Sequence, residues 1–210
     1  MAGFFLVLEG PEGAGKSTLA RALADRFRST GVEPVVVREP GGTPAAEALR
    51  TELLDGNRAW TAEAEALYMV TARADLVARV IGPALAAGQV VISDRFDHST
   101  RAYQIAGRGL PADRVEWMNR AATGGLAPDL TLILDLGASA GRARQLAAGK
   151  TGDRLDREST EFHERVGRAY RALAGPGIVH LDASRPPDEV VELAWRSVQA
   201  ARPDLVEAKR

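Results

Sequence analysis

The stretch Gly10-Pro11-Glu12-Gly13-Ala14-Gly15-Lys16-Ser17 stands between an apolar run, Phe4 to Leu8, and a segment in which Leu19, Leu23 and Phe27 fall four residues apart. The spacing G-x-x-x-x-G-K-[ST] between a buried strand and a helix admits few folds. Glycines let successive backbone N–H groups converge on one point, and the helix N-terminus adds positive potential there. The only lysines in the 210 residues are Lys16, Lys150 and Lys209, so a chance match is rare. The alternative is a plain strand-to-helix turn, which does not call for this combination. Gly10, Pro11, Glu12, Gly13, Ala14, Gly15, Lys16, Ser17 and Thr18 are therefore expected to cradle a phosphate group. Lys16 would reach the β/γ-phosphates and Ser17 would ligate Mg²⁺.

The rest of the chain repeats the same alternation. Glu33 to Val37, Gln89 to Ser93, Leu130 to Leu136 and Gly177 to Leu181 read as further strands. Thr43-Pro44 reads as an N-cap followed by proline at the first helical position, with Gly56 closing that helix. Thr61 opens a long helix to about Ile81, Pro111 another, and Pro186 the last. Five apolar strands separated by helices imply a parallel sheet covered on both faces. No repeat or linker divides the chain, so residues 1–210 are expected to form one domain, with a polar segment at 141–157 and a frayed tail from 203. In such folds ligands sit beyond the carboxyl ends of the strands. The segments beginning at Glu9, Arg38, Asp94, Gly137 and Asp182 are where chemistry is expected.

Composition narrows the function. Lys+Arg is 27 against 28 Asp+Glu, a net charge of −1, so no global basic field favours nucleic acid. Cysteine is absent, which excludes disulfides, zinc-thiolate sites and thiol nucleophiles. No apolar stretch approaches a membrane span, and the N-terminus shows no secretory signal. A cytoplasmic protein is the default expectation.

Several side chains carry two readings. Glu12 beside a phosphate is costly without a partner; it faces a second ligand such as a sugar hydroxyl, or solvent. Arg38, ahead of Glu39-Pro40-Gly41-Gly42-Thr43, lies at the ligand edge, with Arg50 further along the following helix; a simple loop is the alternative. Asp94 could hold Mg²⁺ through water or orient an arginine, and Arg95 could clamp a phosphate in bidentate fashion; the pair could also be structural. Ser99, Thr100 and Gln104 offer polar groups at near-helical spacing, while His98 reads as a surface or packing residue. Met69 and Arg73 share a helix face, with core packing the other reading of Met69. Arg142, Arg144, Lys150, Arg154 and Arg157 form either a solvated charge run or a basic lid over phosphates.

Taken together, these motifs resemble the thymidylate kinase family over essentially the whole chain. The resemblance rests on Glu9 to Ser17, on Arg38 to Thr43, and on Asp94 to Gln104 with Gly107-Arg108-Gly109 behind it. Asp153-Arg154-Leu155-Asp156 is similar to the family's lid ending, and Asp182-Ala183-Ser184 to its adenine loop. The resemblance implies a P-loop nucleoside-monophosphate kinase fold with a short basic lid, ATP and dTMP as substrates, Mg²⁺, and a homodimer. It implies that Lys16, Arg95, Asp94, Arg154 and Arg144 serve catalysis, with Asp182 and Ala183 at the adenine. Glu12 would lie near the acceptor's 3′-hydroxyl. Arg38 and Arg95 would bind its 5′-phosphate, supported by Arg50. Arg73 would hydrogen-bond thymine, Phe96 would pack against the nucleotide, and Thr100 and Gln104 would hold the base. Two departures stand out: the family usually carries phenylalanine where this chain has Met69, and the lid is alanine-rich between Arg144 and Lys150, with fewer arginines than many relatives. A kinase of another nucleoside monophosphate, or a weakly catalytic nucleotide-binding protein, is the competing expectation.

Overall fold

The computed structural model describes residues 3–149 and 152–205. Five strands, β1 (Phe4–Glu9), β2 (Val35–Arg38), β3 (Val90–Asp94), β4 (Leu130–Asp135) and β5 (Ile178–Asp182), form one sheet in the order β2-β3-β1-β4-β5. Every pairing is parallel. The first strand is central, and the chain reverses its winding direction around it. Crevices form at such a switch point beyond the strand ends, and the loop after β1 lies there.

Alternation along β1 divides the interior. Phe4, Leu6 and Leu8 face one layer with helix α1 (Lys16–Ser29) and helix α9 (Pro187–Ala201); Phe27 meets Trp195 edge-on at 5.1 Å. Phe5 and Val7 face the other layer with Leu76, Ile81 and Phe96. Glu9 is the next residue in that second row, so strand geometry turns a carboxylate into the interior. Its exposure is 0%.

The capping signals hold. Thr43 accepts from Ala46 N at 3.1 Å to begin α2 (Pro44–Leu54), and Thr61 accepts from Ala64 N at 3.2 Å to begin α3 (Ala62–Leu76). The long helix expected to reach Ile81 widens into a π-type turn over Val77–Ile81 and continues as α4 (Gly82–Ala86). A helix not foreseen as such follows β3: α5 (Asp97–Thr100), widening over Arg101–Gly107. It presents Thr100 and Gln104 toward one wall. Helix α6 (Ala112–Thr123) lies against α3.

The 141–157 segment is less irregular than expected. Its first part belongs to α7 (Ala138–Ala147), which begins where Gly137 follows the β4 strand end. Gln145 Nε2 donates to Asp156 Oδ1 at 2.9 Å, tying α7 to the returning strap. Asp153 Oδ1 accepts from the Leu155 and Asp156 amides, closing a turn before α8 (Thr160–Ala172). Lys150 lies outside the described residues. The tail is also ordered at its start: Pro203–Leu205 makes a short turn, and Leu205 is buried against Thr30.

Candidate active site

A cleft of about 1120 Å³ opens at the carboxyl ends of the strands. That exceeds the ~300–1,000 Å³ usual for one small ligand, leaving room for two. Its walls carry Lys16, Arg21, Arg38, Arg50, Arg73, Arg95, Arg144 and Arg185 against Glu12, Glu39, Asp94, Asp153 and Asp156. The basic excess absent from the whole chain is concentrated here.

The loop after β1 forms the floor. Gly10 has φ +137°, and a Cβ there would stand 2.5 Å from Leu134 O, so the position requires glycine. Glu12, Gly13, Ala14, Gly15, Lys16, Ser17 and Thr18 line the cleft, while Gly10 and Pro11 supply carbonyls beneath it. Lys16 Nζ donates to Gly10 O at 3.0 Å and Pro11 O at 2.8 Å. Burial, with the Arg95 cation nearby, holds the Lys16 pKa below its ordinary value. A phosphate oxygen would relieve that penalty. Ser17 Oγ donates to Asp94 Oδ2 at 2.5 Å. Two hard oxygen donors beside a phosphate cradle suit Mg²⁺, which takes few protein ligands and completes its shell with water and phosphate oxygens. No group of three or more His, Cys, Asp or Glu side chains among the described residues forms an all-protein metal cage.

Arg95 is the most constrained side chain of the site. It is the one non-glycine residue at positive φ among those described, at 79°. Side chains rarely adopt that region, and such strain persists where surroundings over-determine it. Here Arg95 N donates to Leu8 O at 2.9 Å, and Ser93 Oγ donates to Arg95 O at 2.7 Å. Its guanidinium pairs with Glu12, donates to Gly10 O and Ser99 Oγ, and contacts the Tyr103 and Tyr170 hydroxyls. Buried Glu9 underpins the group. It accepts from the Phe96 and Ser99 amides and from the Ser99 and Tyr170 hydroxyls. Arg38 pairs with Glu47 at 3.1 Å, and Arg50 donates to Pro40 O at 2.8 Å. Arg38, Arg50 and Arg95 thus share one end of the cleft.

The third wall carries Met69, Arg73, Thr100, Tyr103 and Gln104. Met69 is half-buried and serves both expectations, packing near Tyr103 while lining the cleft. Its neighbour Tyr68 is turned toward Trp60, with ring centroids 4.5 Å apart.

Three residues expected at the ligand (Phe96, Arg154 and Asp182) do not line the cleft among the described residues. Phe96 is fully buried, edge-on to Phe5 at 4.9 Å and beneath the Arg73 guanidinium; among the described residues it does not line the cleft. It stands just beyond β3, at the start of α5, where it packs with Phe5, Val7 and Leu76 in the core. Arg73 does line the cleft, and its guanidinium is held from within the protein. Nε donates to Glu39, Nη1 to Thr100 and Asn119, and Nη2 to Phe96 O. Arg154 turns away, donating to Leu53 O at 2.9 Å and to Glu65 at 2.6 Å, because that buried carboxylate competes for it. Of the lid arginines expected in catalysis, Arg144 faces the cleft. Asp182 holds Ser184 by two hydrogen bonds and shapes its loop, leaving Ala183 to line the cleft with Arg185, Pro187, Val190 and Val191.

Sequence reasoning gave no roles to Glu9, Glu39, Glu65, Tyr103, Asn119 or Tyr170. Glu9 carried a signal, as an acid at the ligand end of a strand. Tyr170 lies 75 positions from Arg95 and carried none.

The chain also has close relatives in sequence. The family model described as thymidylate kinase matches residues 8–194. A thymidylate kinase of Synechococcus sp. (strain JA-3-3Ab) is 48% identical over 93% of this chain and 95% of its own length. One from Pseudomonas putida (strain GB-1) is 45% identical over the full length of both chains. One from Thermomicrobium roseum is 46% identical, covering 93% of this chain and 94% of its own. With a parallel five-stranded sheet, a glycine-rich cradle after β1 and an arginine-lined cleft, the chain belongs to the thymidylate kinase family.

Proposed function

We propose that this cleft transfers the γ-phosphoryl group of Mg²⁺-bound ATP to the 5′-phosphate of dTMP, giving ADP and dTDP. The observation that carries the reading is one continuous cleft joining the cradle around Lys16 to the Arg38, Arg50 and Arg95 end, with Arg144 above it. The donor would lie along Gly13 to Thr18, its adenine toward Ala183 and Val190. The acceptor would lie between Arg95 and the Met69–Gln104 wall. Its phosphate has a second pKa of about 6 and is largely dianionic near neutrality. No general base is required, and the task is to bring two polyanions together.

The chain's residues divide that task. Lys16, released from the Gly10 and Pro11 carbonyls, binds the β/γ-phosphates. Arg95 exchanges Glu12 for the acceptor phosphate, with Glu9, Ser99 and Tyr170 keeping it in place. Glu12 would then meet the sugar 3′-hydroxyl. Arg38 and Arg50 neutralise the same phosphate, and Arg144 supports the transferring group from the lid side. Ser17 and Asp94 would hold Mg²⁺, which neutralises phosphate charge when bound. Helix α7 and the strap it ties shield the reacting groups from water.

The family resemblance also implies a homodimer. Leu67 on α3 and Trp117 on α6 support a second copy as the partner, since both are exposed (Trp117 at 70%) on helices that pack together. Sedimentation of Trp117→Arg against the parent tests it.

The function is tested by ADP release from Mg·ATP with dTMP, dUMP, dGMP, dCMP and UMP offered singly. The reading requires dTMP to be the best acceptor by kcat/KM. A different preferred base, or release indifferent to acceptor, overturns it.

A further inference from the structure

Glu65 is a carboxylate on α3 with 1% exposure. Its Oε1 accepts from Gln104 Nε2 at 2.9 Å and Arg108 Nε at 3.0 Å. Its Oε2 accepts from Arg108 Nη2 at 2.9 Å and Arg154 Nη2 at 2.6 Å. Burial works to raise its pKa, but the hydrogen bonds from Arg108, Gln104 and Arg154 hold it below the ordinary value. An ionised carboxylate only accepts hydrogen bonds. The amide nitrogen of Gln104, and not its oxygen, must therefore face Glu65.

The other end of that amide is the informative one. Gln104 lines the cleft, and with its Nε2 held by Glu65 its Oε1 is the amide atom at the opposite end. The cleft thus meets a carbonyl acceptor at this position. One helical turn earlier, Thr100 Oγ1 accepts from Arg73 Nη1 at 2.8 Å. Arg73 cannot accept, and it is held by Glu39, Asn119 and the Phe96 carbonyl. The Thr100 hydroxyl keeps its proton and a second lone pair, so it can donate or accept. The fixed element of the wall is therefore the acceptor at Gln104, with Thr100 able to follow it.

We propose that Glu65 is a specificity-determining positioning residue, which fixes the Gln104 amide so that the wall matches a 4-oxo pyrimidine and opposes a 4-amino one. A 4-oxo ring presents an N3–H donor beside a C4 carbonyl acceptor, complementary to Gln104 Oε1 and the Thr100 hydroxyl. A 4-amino ring presents the reverse pattern, an N3 acceptor beside an amino donor. It would be accepted only with the Gln104 amide flipped, which would turn a carbonyl onto the Glu65 carboxylate. Selectivity at this edge thus originates in a buried side chain that does not line the cleft. This inference rests on reading the Met69–Gln104 wall as the base site.

The test compares kcat/KM for dTMP, dUMP and dCMP in the parent, Glu65→Gln and Glu65→Asp, with melting temperatures recorded. In Glu65→Gln the partner is itself an amide and accommodates either orientation of Gln104. Glu65→Asp keeps a charge for Arg108 and Arg154 but withdraws it from Gln104, so it remains informative if the neutral variant does not fold. The dTMP:dCMP ratio is expected to fall about tenfold or more, the scale of one mispaired buried hydrogen bond. The dTMP:dUMP ratio should not move, since both rings are 4-oxo. A loss shared equally by all three acceptors, or an unchanged dTMP:dCMP ratio in a folded variant, overturns the proposal. Gln104→Leu separates the two levels. If it leaves the KM for dTMP unchanged, the base-site reading fails. If it raises that KM while the Glu65 variants keep the parent ratio, only the role of Glu65 fails.

Discussion

Replacing Gly141 with alanine should separate catalysis from stability. Gly141 sits in the first turn of α7 with its amide bonded to Gly137 O at 3.0 Å, so its backbone is one alanine adopts readily. Its neighbour across the cleft floor is the phosphate cradle itself: an added Cβ would stand 2.2 Å from Glu12 O. Ordinary contact begins near 3.4 Å, so α7 and the cradle must separate by about 1.2 Å. The cradle is held by β1 and α1, whereas α7 leads into the strap, so the helix should yield. Arg144 rides on α7 one turn further along and would shift with it. A displacement of ~1 Å in a catalytic group costs on the order of 10²-fold in rate, or ~2.7 kcal/mol of transition-state stabilisation. Stability should change little. Overpacking costs about 1–3 kcal/mol, offset by ~1 kcal/mol from alanine's helix preference. The measurements are initial rates of ATP-to-dTMP transfer and a thermal melt. We expect kcat/KM about a hundredfold lower, with a melting temperature within ~8 °C of the parent. A variant that keeps its rate to within about twofold would show that close approach of α7 to the cradle is not required, and would refute this account of Arg144.

Two further outcomes follow from the same geometry. Arg95→Ala removes the cation that Glu12, Ser99, Tyr103 and Tyr170 surround; kcat should fall by about 10² or more while ATP affinity by calorimetry stays within a few-fold. Equal loss of ATP affinity would contradict its assignment to the acceptor. His180 lies 2.8 Å from both Asp135 Oδ2 and Leu173 O, two acceptors that a doubly protonated ring satisfies together. Burial works against that charge, but the Leu173 carbonyl and Asp135 carboxylate win and raise the pKa above 6.5. The stabilisation is therefore complete below pH 6.5 and is lost as pH rises through the higher folded value. The stability advantage of the parent over His180→Phe should shrink from pH 6 to pH 9; a difference independent of pH would exclude this linkage.

Much of this was legible in the chain itself. Strand alternation, the caps at Thr43 and Thr61 and the glycine-rich cradle are local signals, because each is set by residues within a few positions of one another. They account for the parallel sheet, the order of elements along the chain and the glycine-rich floor of the cleft. Arg38, Arg50, Arg95, Thr100 and Gln104 were identified and do line it. Two residues that the resemblance implies at the ligand are engaged elsewhere: Phe5 packs against the Phe96 ring, and Glu65 holds the Arg154 guanidinium. The segment around Arg144 looked irregular because its polar residues mask a helix whose small first turn presses on the cradle.

The sequence by itself determined that a phosphate would be bound after the first strand, since the glycines, lysine and serine needed for that are contiguous. Which arginines are offered to a substrate, and which are used up inside the protein, was decided by the tertiary structure. Arg73, Arg95 and Arg154 are alike as letters. They differ because Glu39, Glu12 and Glu65 arrive from other elements, and a buried charge takes whatever partner the fold brings within hydrogen-bonding distance.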